Sequence, residues 1–477
     1  MKIRSIFQNI SPLDHRYSLS EATVFDSLAP FLSESASVLV CMKAEIALIK
    51  AHLRIRGCLS EALETMLDSI AIDPEEVYAE EEQTHHNIRA LVNTLKMKVP
   101  PDLAPLVHLG ATSVDILDTS LAYRIKGATN TVVLPLLKKL ELLLCDFAEK
   151  EAETPQTGRT HGQQAVPITL GFAVAEYVSR LGKSILEIEE RGKALKGKLA
   201  GAVGAYNATS MIVNDPEELE RLYLVELGLE PSEHSTQLVE PEYLLRLLLE
   251  FNTAFGVLAN LADDLRNLQR SEIGELKEGF SGAQVGSSTM PQKRNPWNSE
   301  HIKSLWKAFF PRVMTFFMDQ ISEHQRDLTN SASQRFVADY IVGFCMAISR
   351  MIDVVSSLGV DRDRLRCNLR SGGIPGGVMA EPAYILLAET GVSDAHEIIR
   401  RITLDAEKNN LSFASALSKN MDAMSRIAEK LSERGLTTKI DALSFFENPE
   451  KYCGLAIKKA KTLAGKYRML MKKCDGV

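Results

Sequence analysis

The sequence predicts an all-α protein, and three observations support that class. Proline is absent from three long stretches, 168–215, 242–290 and 312–374, so helices can run there without losing a backbone donor. Within 240–272, apolar side chains recur at three- and four-residue spacing, which is typical of a helix of many turns. Alternating apolar and polar stretches bounded by turn residues, the pattern of strands, are hard to find.

The same helical periodicity covers four further ranges, 120–150, 168–199, 297–322 and 333–358. These helices carry apolar residues around much of their circumference, so each one must be covered on several sides. We therefore predict a central bundle of long helices that is buried inside an oligomer. The alternative is a monomeric bundle with thick side layers.

The length of 477 residues suggests about three domains, at roughly 150 residues per domain. We place an N-terminal helical domain at 1–110, because this region is smaller and more charged than the centre. The central long-helix bundle domain, with a long polar loop, spans 111–360. A C-terminal helical domain spans 361–477 and begins near a loop rich in glycine and proline.

Composition excludes several functional classes. Apolar residues make up 45% and charged residues 25%, as in globular proteins, and the net charge of −7 leaves no basic stripe for nucleic acid. The seven cysteines are far apart and form no CxxC pair, which favours a reducing cytoplasm. We find no signal peptide, and no uninterrupted apolar run reaches the roughly 18 residues of a membrane span. We expect a soluble, cytoplasmic protein that binds neither membrane nor nucleic acid.

One long loop, 277–296, lies between two predicted helices and is rich in glycine, serine and proline. Loops of this length are usually functional or disordered, and this one holds hydroxyl groups, a lysine and an asparagine in close succession. On composition alone, a flexible surface linker is the alternative.

Residues 286–296, GSSTMPQKRNP, resemble the fumarase/aspartase superfamily signature GSSxMPxKxNP at every fixed position. The resemblance implies helical subunits, a homotetramer and an elimination that releases fumarate or a close relative. Removing a proton from carbon beside a carboxylate creates a dianion, which needs preorganised electrostatic stabilisation. By resemblance Ser287 is the general base, acting as an alkoxide. Lys293 and Asn295 hold the substrate carboxylate and the developing charge.

Residues 157–171, TGRTHGQQAVPITLG, resemble the lyase motif TxxxHxQxAxPxTxG. The resemblance makes His161 the general acid, Gln163 a substrate contact, and Glu300 the carboxylate that pairs with the histidine. Histidine suits proton donation to a leaving nitrogen, because imidazole titrates near neutrality. Taken alone, a histidine at the start of a helix is more often a cap or a buried hydrogen-bonding group.

Residues 106–119, LVHLGATSVDILDT, resemble the third conserved region of the superfamily. There a Thr-Ser pair, here Thr112 and Ser113, binds the second carboxylate of the succinyl group. The alternative is a helix N-cap, because Thr-Ser-x-Asp before an apolar run is a good helix start. Both roles are compatible, since a helix N-terminus also attracts an anion.

Residues 84–90, THHNIRA, align with a histidine segment of the family. The resemblance makes His86 a catalytic residue in a proton network or a contact to the substrate phosphate. The neighbours His85 and Asn87 differ from the usual pattern, in which an acidic residue follows the histidine.

Three segments resemble the branch of the superfamily that cleaves adenylosuccinate: SPLDHRYS (11–18), EHSTQ (233–237) and EHQRDLTNSASQR (323–335), in which Gln325 replaces a usual glutamate. An isolated arginine is usually a solvated surface charge, but arginine also donates in two directions to phosphate. The nucleotide and phosphate contacts implied by this resemblance are Arg16, Tyr17, Gln237, Arg326, Ser331 and Arg335.

The resemblance implies β-elimination of fumarate from adenylosuccinate, giving AMP, and from SAICAR, giving AICAR, in purine biosynthesis. Small succinyl-amino nucleotides are then the substrates, and each composite active site is built by neighbouring subunits. We expect no metal and no organic cofactor, since the sequence has no HExxH, EF-hand or Walker motif. Two alternatives remain: a sister activity such as argininosuccinate cleavage or carboxymuconate cycloisomerisation, and a structural protein on the same fold.

Overall fold

The computed structural model describes residues 5–279, 289–290, 292–371 and 374–473. Within these residues the regular structure is almost entirely helical, with six strands that are short. The prediction of an all-α fold is therefore confirmed.

The elements follow one another along the chain as a long series of helices with few strands. In the first half the helices are α1 (Arg16–Ser20), α2 (Ala22–Leu32), α3 (Glu34–Ile55), α4 (Glu61–Asp68), α5 (Pro74–Thr84), α6 (Asn87–Lys96), α7 (Ser113–Ala128), α8 (Leu134–Lys150), α9 (Leu170–Lys193) and α10 (Pro216–Val225). In the second half they are α11 (Glu242–Leu268), α12 (Trp297–Phe309), α13 (Arg312–Met318), α14 (Val337–Ser357), α15 (Arg362–Arg370), α16 (Ala380–Glu389), α17 (Ala395–Lys408), α18 (Phe413–Lys419), α19 (Met421–Glu433), α20 (Ala442–Glu447) and α21 (Ala456–Lys473). The strands are β1 (Pro155–Thr160), β2 (Gln163–Thr169), β3 (Lys196–Gly197), β4 (Glu230–Pro231), β5 (Leu276–Lys277) and β6 (Gly359–Val360).

The long helices agree closely with the predicted periodicity. Helix α11 occupies most of 240–272, and α9 occupies most of 168–199. The pattern over 120–150 corresponds to α7 and α8, which are joined by a wide helical turn. The pattern over 297–322 is interrupted, because Pro311 lies between α12 and α13 and cannot donate the backbone hydrogen bond of a continuous helix.

The chain divides into two compact units. The first unit comprises Met1–Lys138, Lys183–Leu258 and Ile302–Arg350. The second unit comprises Lys139–Gly182, Ala259–His301 and Met351–Val477. The three sequence domains at 1–110, 111–360 and 361–477 stay a prediction.

In the first unit, aromatic side chains fill the space between α11 and α14. The ring of Phe344 lies 5.5 Å from that of Phe251 and 5.3 Å from that of Phe255, measured between centroids. The Tyr340 hydroxyl, also buried here, donates to the side-chain oxygen of Asn252 at 3.2 Å. The buried tyrosine therefore satisfies its polar end within the core.

A buried ion pair fixes the start of α7 in the first unit. The side chains of Lys198 and Asp115 are both fully buried and are bonded to each other. Lys198 also donates to the Gly201 carbonyl at 3.1 Å, and Asp115 accepts the backbone N–H of Ala200 at 3.2 Å. These extra bonds matter because a buried charge pair is stable only when its remaining polar atoms are satisfied.

The second unit contains an antiparallel hairpin, β1–β2, and a compact C-terminal helical cluster. The core of the cluster is built from α16 to α20. It includes Phe413 and Phe446, whose ring centroids are 6.2 Å apart, and Phe445, which meets Phe446 edge-on at 5.3 Å.

Two helical segments, Glu242–Leu268 and Ser333–Ser357, are long and apolar enough to cross a membrane. However, 61% and 72% of their most apolar windows are buried inside the protein. They therefore have the burial of core helices in a soluble protein.

Candidate active site

His161 lies in the turn of the β1–β2 hairpin and not at the start of a helix. His161 and Gly162 have φ of 55° and 72°, and the strands pair from Thr160 with Gln163. A two-residue hairpin turn with both φ values positive matches the right-handed twist of its strands, and glycine and histidine adopt such values more readily than most residues. The helix-start interpretation of His161 is therefore wrong.

The hairpin presents its tip to solvent. His161 and Gln163 are both exposed. Gln163 lines a cavity of about 600 Å³ together with Gly162, Gly377 and Glu381. This cavity is polar and open, which suits a hydrophilic ligand.

The signature loop, residues 277–296, is only partly described. Ser287 lies outside the described residues. Lys293, Asn295 and Glu300, which come after it, line one cavity of about 580 Å³ in the second unit. Arg266, Arg270 and Arg294 line the same cavity, so a carboxylate there would lie among four cationic residues, counting Lys293.

Glu300 was predicted to pair with His161. In a single chain both side chains are exposed, and no hydrogen bond or ion pair joins them among the described residues. Glu300 lies in the first turn of α12, where its backbone N–H donates to the Pro296 carbonyl at 3.0 Å.

Thr112 and Ser113 are at the N-terminus of α7, as the N-cap interpretation predicts. Asp115 accepts the Thr112 backbone N–H at 2.8 Å, and both Thr112 and Ser113 are half-buried. The helix N-terminus directs partial positive charge toward this pair. Its geometry therefore suits an anion as well as a cap.

His86 is the N-cap of α6. Its Nδ1 accepts the backbone N–H of Arg89 at 3.2 Å, and the side chain is exposed. Because Nδ1 accepts this bond, a neutral His86 carries its proton on Nε2, the nitrogen that remains available to a ligand. The preceding His85 has φ of 51° and ends α5.

The predicted nucleotide segments around Gln237 and Arg326 lie side by side in the first unit. The backbone N–H of Gln237 donates to the Gln325 carbonyl at 3.1 Å. Arg326 has φ of 76°, and its guanidinium donates to the Gln320 carbonyl at 2.5 Å. This hydrogen bond turns the Arg326 side chain back onto its own loop, and the positive φ adds backbone strain.

Asp327 organises the same loop, and sequence reasoning missed it. Its carboxylate accepts the hydroxyls of Ser322 at 2.8 Å and Thr329 at 2.6 Å, and the Thr329 backbone N–H at 3.0 Å. These bonds, led by the Thr329 hydroxyl, lower the pKa of Asp327 to about 2. The signal was local, since an aspartate two residues before a threonine is typical of a side-chain-capped turn.

Asp118 on α7 holds the neighbouring segment. Its carboxylate accepts the backbone N–H of Val239 at 3.0 Å, two residues after Gln237. Burial raises the pKa of Asp118 to about 6. Periodicity could not identify this contact, because it joins residues far apart in the chain.

The other predicted anchors lie at the surface of the first unit. Arg16 begins α1 and is exposed, whereas Tyr17 beside it is half-buried. Ser331 and Arg335 are also exposed. The structure thus groups Gln237 with the loop of Arg326 and places Lys293, Asn295 and Glu300 in one cavity of the second unit.

Comparisons with known proteins identify the family of the chain. A model of a lyase family matches residues 16–308, and a model of the adenylosuccinate lyase C-terminal region matches residues 322–438. The adenylosuccinate lyase of Pyrococcus abyssi is 32% identical over 88% of this chain and 92% of its own length. That of Pyrococcus horikoshii is 31% identical over 94% of this chain and 95% of its own length.

The chain belongs to the adenylosuccinate lyase family. As a member it is a fumarate-releasing C–N lyase. Since the two family models together extend from residue 16 to residue 438, the membership covers both compact units.

Solved structures of the wider group have the same fold. The fumarate lyase of Mesorhizobium sp. BNC1 superposes with a TM-score of 0.77 at 22% identity, over 92% of this chain and 97% of that one. The 3-carboxy-cis,cis-muconate lactonizing enzyme of Pseudomonas putida gives 0.76 at 23% identity, over 93% and 97%. At these identities the likeness shows the fold of the family and not a shared substrate.

Among the described residues, no group of three or more His, Cys, Asp or Glu side chains is placed to hold a metal ion. The expectation that the reaction of this adenylosuccinate lyase family member needs no cofactor stays a prediction.

Proposed function

We propose that the protein cleaves adenylosuccinate into AMP and fumarate, and SAICAR into AICAR and fumarate. The observation that carries this proposal is the match of residues 322–438 to the C-terminal region of adenylosuccinate lyases. It is supported by the signature at 286–296, which matches the superfamily pattern at every fixed position.

The proposed reaction is a β-elimination. Ser287, as an alkoxide, removes a proton from the succinyl carbon beside a carboxylate, and the electron pair forms the aci-carboxylate. This dianion is stabilised by Lys293 and Asn295. The electron pair then forms the double bond of fumarate as the carbon–nitrogen bond breaks, and His161 donates a proton to the departing nitrogen.

The substrate is held at both ends in this proposal. Thr112 and Ser113 at the N-terminus of α7 bind the second succinyl carboxylate, and Gln163 contacts the substrate from the hairpin. The nucleotide and its phosphate are bound by Arg16, Tyr17, His86, Gln237, Arg326, Ser331 and Arg335. The exposed positions of Arg16 and Arg335 support this role, because their charges are accessible to a ligand.

We further propose a cytoplasmic homotetramer whose active sites are composite. The support is a row of exposed apolar side chains that runs from the residue after α12 through α13 to the turn that follows, an unusual surface for a monomer. The exposed fraction reaches 58% at Met314 and 82% at Ile321. The other members of this apolar face are Phe310, Phe317 and Met318.

Fumarate release from alternative substrates tests the proposed function. The purified protein is mixed with adenylosuccinate, SAICAR or argininosuccinate, and fumarate is measured. We expect release from the first two only. Release from argininosuccinate alone would assign the chain to a sister activity.

Two arginine substitutions test the nucleotide contacts separately. Arg16→Ala and Arg335→Ala should each raise the KM for adenylosuccinate, since an arginine bound to phosphate contributes roughly 1.5–3 kcal/mol. A KM for adenylosuccinate that is unchanged in both variants would reject the proposed phosphate site.

A further inference from the structure

We infer that Gln269, Glu275 and Glu278 are positioning residues that hold the His161 hairpin and the Lys293–Asn295 segment in a fixed relation. The inference rests on the proposed function, which gives those two elements their chemistry. Gln269 directly follows α11, whereas Glu275 and Glu278 lie on either side of β5.

The first connection joins Glu275 to the hairpin. Glu275 is fully buried, and Arg159 of β1 donates to both of its oxygens, at 2.5 and 3.1 Å. Gln156, also in β1, donates to the same carboxylate at 2.8 Å, and Asn368 of α15 donates at 2.9 Å. A two-pronged arginine bond fixes orientation as well as distance, so the strand leading to His161 is held in one position.

The backbone after Glu275 is also fixed. Leu276 and Lys277 form β5 and pair with Val360 and Gly359 of β6. The Asp361 backbone N–H donates to the Glu275 carbonyl at 3.0 Å. Glu275 and Glu278 thus lie on either side of the two residues of β5, three residue steps or roughly 10 Å apart.

The second connection joins both ends of the signature loop through one side chain. The Gln269 side-chain oxygen accepts the Glu278 backbone N–H at 2.8 Å, at the start of the loop. The side-chain nitrogen of Gln269 donates to the Arg294 carbonyl at 3.3 Å, between Lys293 and Asn295. Gln269 therefore holds the end of the loop that carries two proposed catalytic groups.

The third connection joins Glu278 to the start of α12. Its carboxylate accepts the backbone N–H groups of Asn298 at 3.1 Å and Ser299 at 2.8 Å, and the Ser299 hydroxyl at 2.5 Å. A carboxylate at a helix N-terminus is favoured by the unpaired N–H groups and the helix dipole. Glu300 follows immediately in this first turn.

These connections form one continuous support. The position of His161 depends on Glu275 through Arg159. The positions of Lys293 and Asn295 depend on Gln269, and the position of Glu300 depends on Glu278. Gln269 also lines the cavity of Lys293, Asn295 and Glu300, whereas Glu275 and Glu278 are not among its lining residues. A displacement of about 1 Å between catalytic groups lowers the rate by up to roughly a hundredfold, so loss of this support should reduce kcat.

Gln269→Glu tests the support with an almost isosteric change. The new carboxylate still accepts the Glu278 N–H but no longer donates to the Arg294 carbonyl, which it repels. We expect kcat for adenylosuccinate to fall roughly ten- to a hundredfold, with a KM change below about threefold. Glu278→Gln, which weakens the cap of α12, should show the same kcat-selective loss.

The matched control is Asp215→Asn. Asp215 is exposed and caps α10 in the first unit by accepting the Glu218 N–H at 2.9 Å. The Asp215→Asn variant therefore loses a helix-capping charge at a site that has no link to the hairpin or the loop. Its kcat should equal that of wild type. Thermal unfolding of all three variants separates a positional effect from a loss of folded protein.

The inference is overturned if Gln269→Glu and Glu278→Gln both retain a kcat within twofold of that of an active wild type. It is likewise overturned if their kcat falls by no more than that of Asp215→Asn. It is also overturned if their loss of activity equals their loss of folded protein. An inactive wild type would instead overturn the proposed function on which the inference rests.

Discussion

His161, Lys293 and Glu300 are exposed in a single chain, whereas Asp115 and Glu275 are fully buried. Each buried carboxylate accepts several hydrogen bonds that the fold provides. The exposed groups belong to the proposed chemistry, so their loss should affect turnover much more than folding. Substitution of the buried groups should affect both.

Ser287→Ala and His161→Ala should each lower kcat by roughly two to four orders of magnitude, because each removes one proton transfer. Substrate binding should survive, since neither residue is proposed as a phosphate anchor. Steady-state kinetics and equilibrium binding of adenylosuccinate check the two statements. A normal rate in either variant would reject its proton-transfer role.

Glu141 on α8 affects how the stability of the protein depends on pH. It is fully buried, neither carboxyl oxygen has a hydrogen-bond partner among the described residues, and burial raises its pKa well above 4.5. The folded state therefore keeps a proton that the unfolded state releases above pH 4.5. This residue should make the protein less stable as the pH rises.

Glu141→Gln removes that titration. We expect the free energy of unfolding of the variant, relative to wild type, to increase with pH by at most about 1.4 kcal/mol per pH unit above 4.5. Urea denaturation at pH 6 and pH 8 measures the difference. The control Glu407→Gln, at an exposed site on α17, should show no such trend. An equal offset at both pH values would show that Glu141 titrates normally in the folded state.

At the scale of elements, periodicity predicted helices well and short strands poorly. Helix α11 was predicted because its apolar spacing is maintained over many turns. The hairpin β1–β2 was missed because burial along β1 does not alternate, so the strand pattern is absent from the sequence. The His161–Gly162 turn was the available signal, since glycine after histidine between two extended stretches is compatible with positive φ.

The candidate site was predictable to the extent that it resembles a family. Ser287, His161 and Lys293 came from motif positions and not from any physical pattern. Glu275 and Gln269 were missed because their partners are distant in sequence: Gln156 and Arg159 for the first, Arg294 for the second. Such contacts require the fold to be known.

A pair of glycine substitutions tests the hairpin turn at the element scale. Gly162 has φ of +72°, whereas Gly465 lies within α21, and a Cβ on either would meet no heavy atom of the described residues within 4 Å. Gly162→Ala should therefore destabilise the protein by about 1 kcal/mol through backbone strain alone. Gly465→Ala should stabilise it by roughly 0.5–1 kcal/mol. The turn geometry would be contradicted if chemical denaturation shows that both substitutions change the free energy of unfolding in the same direction.

At the scale of the whole molecule, a single chain leaves the apolar face around α13 unexplained. Its side chains are more exposed than the core apolar residues of either unit. The proposed acid His161 and its partner Glu300 do not meet within one chain. Assembly of several subunits would allow the two groups to meet. Both observations favour the composite homotetramer that we propose.

Met314→Lys should disrupt this assembly, because it places a charge in the apolar face. We expect a smaller particle by size-exclusion chromatography with light scattering, and a parallel loss of fumarate release. Met421→Lys is the control, since Met421 is 82% exposed but lies on α19 in the second unit. A Met314→Lys protein that keeps the mass and activity of wild type would show that this face is not an interface.

The most direct test of the account is subunit complementation between the two inactive variants. Ser287→Ala and His161→Ala proteins are mixed, dissociated and reassembled, and fumarate release from adenylosuccinate is measured. If Ser287 and His161 of one site come from different subunits, about a quarter of the sites regain both groups, and activity should return to a comparable fraction of wild type. A mixture no more active than its parents, although the subunits have exchanged, would contradict an elimination carried out by these two residues at a composite site.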